Sequence, residues 1–170
     1  QITASLLVRP YIDLMPGFAV QVFDRNEQGL AILLAASGIG ALVFSIVLTI
    51  LSRERWLVYI FVAGMIGSAI MLLLFTLTSQ FWLGVVCLIF VGGLATTTGI
   101  ANATLIQQYV DVEYRGRVVS LNMAFQVGSP ALGAFSLGWL AEFVGFPSAL
   151  GSGAIVVVAV TAFFAPDIFA

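Results

Sequence analysis

The chain has 170 residues, of which 61% are hydrophobic and 8% charged, with no Lys or His and a formal net charge of −2. An ordinary soluble domain carries about 25% charged residues, and several apolar runs here exceed the roughly 18–20 residues that cross a bilayer, so composition excludes a water-soluble protein and specifies an integral membrane protein. Most of the few charges sit in short connections, and none form a basic tract for nucleic acid.

Polar punctuation predicts six transmembrane helices, an all-α fold, because lipid tolerates no open sheet edge. The first is expected over about 2–23, ending at Asp24-Arg25-Asn26-Glu27-Gln28-Gly29. It contains Arg9-Pro10-Tyr11-Ile12-Asp13-Leu14-Met15-Pro16-Gly17. A lone charge at mid-bilayer depth costs about 2.5–3.5 kcal/mol, so such residues pair or face a polar cavity. The i,i+4 spacing puts Arg9 and Asp13 on one helix face, within reach of each other. The neighbouring prolines loosen the backbone ladder at the same level. Either the two charges are a permanent ion pair bracing a proline-broken helix, or they belong to a transport pathway. In the second case Asp13 is the candidate protonatable site and Arg9 the partner that sets its proton affinity.

The second span, 30–51, stops at Ser52-Arg53-Glu54-Arg55, and the third covers 56–78. The fourth, 81–109, gives way to Asp111-Val112-Glu113-Tyr114-Arg115-Gly116-Arg117, read as a turn. The fifth, 118–144, is expected to break at Gly128-Ser129-Pro130, and the sixth, 149–164, to close at Ala165-Pro166-Asp167. Arg53, Arg55, Arg115 and Arg117 fall on one side and only Arg25 on the other, which makes the arginine-rich loops and both chain ends cytoplasmic. Trp56, Tyr59, Phe81, Trp82, Tyr109 and Tyr114 lie near predicted interfaces. Small residues recur at helix-packing spacing in Ala36 with Gly40, Ser37 with Ala41, Gly64 with Ser68 and Ala134 with Gly138, as a compact bundle requires.

Soluble-enzyme constellations are missing: no His, one Cys, no carboxylate cluster at metal-ligand spacing and no phosphate-cradling loop. No enzyme activity, metal or cofactor is expected, and Cys87 reads as a small buried apolar residue. The polar groups inside the spans are few. Thr98 bonds either its own backbone or a functional partner. Asn102, Asn122 and Gln126 either bond between helices or line a cavity. Glu142 reads as an interface anchor near the outer end of the fifth span. Arg115 and Arg117 serve topology and lipid phosphate, or act as a gating latch on helix-end carbonyls, on Asp111 or on Glu113.

Four stretches carry a resemblance: Arg9 to Ala19; Gly29-Leu30-Ala31 with Gly38-Ile39-Gly40-Ala41; Asn102 to Gln107 with Arg115 to Leu121; and Gly128 to Gly133 with Gly138 to Gly145. Together they resemble the C-terminal six-helix half of a major facilitator superfamily transporter, in the enterobactin-exporter-like, transmembrane secretion effector branch. The resemblance implies two six-helix halves around a substrate cavity, alternating access, and efflux of a small drug or siderophore-like molecule by proton antiport. It also implies a bacterial cytoplasmic (inner) membrane location and a partner N-terminal six-helix half. With no starting Met, no signal-peptide pattern and only one half's worth of helices, the chain is expected to be a segment from which that half is absent. A non-transporting membrane scaffold or assembly module is the alternative.

Overall fold

The computed structural model describes the backbone of residues 2–51 and 56–169 and the side chains of 5–50 and 56–163. The predicted Ser52–Arg55 loop lies outside the described residues. Seven helices follow in order: α1 (Ile2–Leu7), α2 (Tyr11–Gln21), α3 (Glu27–Leu51), α4 (Leu57–Leu77), α5 (Phe81–Tyr109), α6 (Val112–Val144) and α7 (Phe146–Phe169). Among the described residues there is no strand, and the five helices α3 to α7 are long and apolar enough to cross a membrane. Continuous apolar sequence leaves the backbone no water to bond, so it bonds to itself within each helix.

The interval of the first expected span holds two short helices, α1 and α2, joined by Val8-Arg9-Pro10. Pro10 cannot donate to the Leu6 carbonyl, and its ring crowds that carbonyl. The Tyr11 N–H bonds the Val8 carbonyl at 3.1 Å, so Leu7 loses its ladder donor as well. Both freed carbonyls are met by glycines. A Cβ on Gly133 of α6 would collide with the Leu6 carbonyl, and one on Gly153 of α7 would stand 3.1 Å from the Leu7 carbonyl. The broken helix is thus wedged between α6 and α7 by direct backbone approach.

Three other expectations differ from the structure. The Tyr114–Arg117 segment is helical, because α6 starts at Val112: the Tyr114 and Arg115 N–H groups bond the Asp111 carbonyl at 3.0 and 2.9 Å. Hydropathy marks where lipid begins, whereas a helix starts where its ladder starts. Gly128-Ser129-Pro130 does not break α6. One proline removes a single ladder bond, here to Gln126, and the Ser129 hydroxyl bonds the Phe125 carbonyl beside it. Likewise α7 begins at Phe146, where Pro147 occupies a first-turn position that needs no donor, and runs through Pro166 to Phe169.

The core centres on α2. Phe18 packs on Phe75 of α4 at 5.0 Å and meets Phe146 of α7 at 6.1 Å, while Phe23 contacts Phe75 and Phe81, each at 5.8 Å. Met15, Leu72, Leu88, Val91, Leu150 and Val157 complete it. This aromatic cluster closes the bundle around one end of α2. The other end, at Arg9, opens into cavities. Along α3 and α5 the backbones nearly touch: a Cβ on Gly40 would strike the Ile89 carbonyl and one on Gly92 the Ser37 carbonyl. Close approach of this kind supplies much of helix association in lipid.

Candidate functional site

The break between α1 and α2 places Arg9 in a turn, Tyr11 and Asp13 in the first turn of α2, and all three on one cavity of about 430 Å3. Its wall is completed by Ile12, by Ser37, Gly38 and Ala41 of α3, by Gly92, Ala95 and Thr96 of α5, and by Pro130 of α6. Tyr11 is buried and its hydroxyl shares a 2.6 Å hydrogen bond with Ser37, which fixes α2 to α3 at the cavity edge. Pro16, inside α2, deprives the Ile12 carbonyl of its ladder donor.

Arg9 and Asp13 form no ion pair. Among the described residues the Arg9 guanidinium has no salt-bridge or hydrogen-bond partner within the usual limits, and Asp13 is exposed. The i,i+4 reach requires one continuous helix, and Pro10 interrupts it. The guanidinium instead lies over Gly99 of α5, its Nη2 4.0 Å from where a Cβ would stand. That places it between two cavities, because Arg9 also lines a space of about 340 Å3 bounded by Ala103, Ile106 and Gln107 of α5 and by Val119, Asn122, Met123, Gln126 and Val127 of α6. A third space, about 30 Å3, adjoins it beside Ser5, Ser68 and Thr98.

The remaining candidates divide clearly. Asn102 donates to the Asn122 side chain at 3.2 Å across the α5–α6 seam, and Asn122 and Gln126 also line the smaller of the two large cavities. Thr98 bonds its own helix at the Leu94 carbonyl, 2.8 Å away, and Cys87 is buried without a disulfide partner. Arg115 donates to the Val110 carbonyl at 3.4 Å, closing the end of α5, while its buried Nε has no partner. Asp111, Glu113, Arg117 and Glu142 are exposed, and none forms an ion pair among the described residues. No group of His, Cys, Asp or Glu among the described residues could hold a metal ion.

Sequence reasoning did not place Tyr11, Ser37, Gly99 or Gln107 at the site. Tyr11 stands between Arg9 and Asp13 in the chain, a usable signal. Gly99 carries none, because its role depends on where another helix sends its side chain.

The model of the Major Facilitator Superfamily matches residues 8–168. The chain belongs to the major facilitator superfamily. No curated protein and no solved structure matches it. Membership makes it a multi-pass membrane protein of a transporter family. In this transporter the Asn102–Asn122 bond is a polar tie between α5 and α6, two helices that otherwise touch lightly. A double-mutant cycle of Asn102→Leu and Asn122→Leu, read by thermal unfolding in detergent, is expected to give a coupling of about 0.6 kcal/mol and at most ~1.7 kcal/mol. Strictly additive single effects would remove the bond as a tie.

Proposed function

We propose that this chain is the C-terminal six-helix half of a secondary exporter that expels small drug or siderophore-like molecules by proton antiport and alternating access. The proposal places it in a bacterial cytoplasmic membrane, with both ends of the segment cytoplasmic and a six-helix N-terminal half as its partner. One observation carries the reading: a carboxylate and a guanidinium, Asp13 and Arg9, stand beside a helix break and line the same 430 Å3 cavity within a bundle otherwise almost free of charge. Ionisable residues at membrane depth mark proton and substrate pathways. Asp13 is the proposed proton carrier, Asn122 and Gln126 line the substrate route with Asn102 behind them, and Arg115, Arg117 and Asp111 act at the gating end.

Two further features support it. Leu121, Phe125, Leu132, Phe135, Trp139 and Phe143 leave a large apolar face of α6 exposed, open to a complementary half as well as to lipid. The aromatic cluster at Phe18, Phe75 and Phe146 packs one end of the broken helix, as a closed gate would.

The test is reconstitution of the complete transporter in proteoliposomes with an amphipathic dye and a catechol siderophore. Uptake into inverted vesicles is expected with an acidic lumen and is expected to collapse when a protonophore is added. A well-folded complete protein that moves neither probe under any gradient would favour the scaffold reading.

A further inference from the structure

Within the transporter reading, on which this inference rests, the substrate class can be narrowed. We propose that the cavity between α5 and α6 receives the anionic group of the substrate, and that the transported molecules are amphipathic organic acids held there by Arg9.

The Arg9 guanidinium presents five donors in a planar fork suited to a carboxylate. At membrane depth such a charge requires compensation. Yet no carboxylate of the described residues pairs with it, and its Nη2 lies 4.0 Å from where a Cβ of Gly99 would stand. The wall of the 340 Å3 cavity contains no acidic residue at all. Its polar groups are Arg9 and the amides of Gln107, Asn122 and Gln126.

The Asn102 bond adds direction. Asn102 donates to the carboxamide oxygen of Asn122, and the NH2 group of Asn122 remains available as a donor. Each amide in this wall can turn an N–H toward an oxyanion, and the guanidinium supplies the charge. Ala103, Ile106, Val119, Met123 and Val127 surround these donors with apolar surface for the rest of an amphipathic molecule. The larger cavity differs in one respect: Asp13 stands on it, so an anion there meets a carboxylate as well as Arg9. The smaller cavity is therefore where the acid group is bound.

The test is equilibrium binding to the complete transporter in phosphatidylcholine nanodiscs, comparing 1-naphthoate with 1-naphthamide, the same ring system with and without charge. Naphthoate is expected to bind at least about tenfold more tightly. Arg9→Gln should bring the two ligands to equal affinity, and Arg9→Lys should keep part of the preference, since a point charge replaces the fork. Gln126→Met, which touches this cavity alone, should weaken naphthoate and spare naphthamide, and it keeps the test valid where Arg9→Gln fails to fold. Equal binding of both ligands to the unmodified protein, or a preference that survives Arg9→Gln, would overturn the proposal. Loss of the preference when phosphatidylglycerol replaces phosphatidylcholine would assign the cavity to a lipid headgroup, which overturns it too. Binding is read without any gradient, so a failure here is distinct from a failure of proton coupling in proteoliposomes.

Discussion

Asp13→Asn in the complete transporter is expected to leave folding intact and to abolish substrate accumulation driven by a pH gradient. Asp13 is exposed on the 430 Å3 cavity and makes no ion pair among the described residues, so its charge braces nothing. Asparagine keeps the shape and cannot carry a proton. A proton moving down one pH unit releases about 1.4 kcal/mol, which supports roughly a tenfold substrate ratio. The unmodified protein should gain about that factor per pH unit, and the variant none, while exchange of substrate at equilibrium persists. Detergent unfolding curves and gradient-dependent flux measured on the same preparation decide it. A well-folded Asp13→Asn protein with undiminished pH-driven flux would remove Asp13 from the mechanism.

Gly92→Leu should be among the most destabilising single changes in the bundle. A Cβ at Gly92 would strike the Ser37 carbonyl and stand 2.7 Å from its Oγ, and a partner contact from Gly40 to Ile89 closes the same α3–α5 seam. The obstacle is backbone, which cannot swing aside like a side-chain tip. Overpacking costs about 1–3 kcal/mol in well-packed cores, and more where helices must separate. Gly92→Ala isolates the effect: helix propensity favours alanine by about 1 kcal/mol, so any net destabilisation measures the close approach. Gly128 provides the control, since nothing lies within 4 Å of where its Cβ would stand, and Gly128→Ala should be neutral or slightly stabilising. Thermal unfolding in detergent and the yield of monodisperse protein report both. Equal behaviour of the two alanine variants would show that close approach at the seam does not limit stability.

The helical class and much of the helix order were legible because membrane burial writes itself into long apolar runs separated by polar residues. Helix starts were less legible. Val112 to Arg117 is polar and reads as a turn, yet its backbone bonds continue α6 into the polar region. Proline was legible in one place and misleading in another. Pro10 breaks its helix, with glycines of α6 and α7 receiving the freed carbonyls, whereas Pro130 sits in a helix that runs on beside it. Beside Pro130 the Ser129 hydroxyl bonds the Phe125 carbonyl, whereas the carbonyls freed at Pro10 are approached by glycines of other helices.

For the site, sequence alone determined that Arg9 and Asp13 are too costly in lipid to be incidental, because an ionised side chain at that depth requires a partner or a cavity. It also shows no His and a single Cys, the basis for expecting neither metal nor enzyme chemistry. Tertiary structure decided how the two side chains are placed. The chain bends at Pro10, Arg9 extends across α5 where Gly99 leaves room, and Asp13 remains on a cavity that both share. Local spacing encodes which residues can meet on one helix. Contact between helices depends on how their backbones pack, and only the folded bundle contains that information.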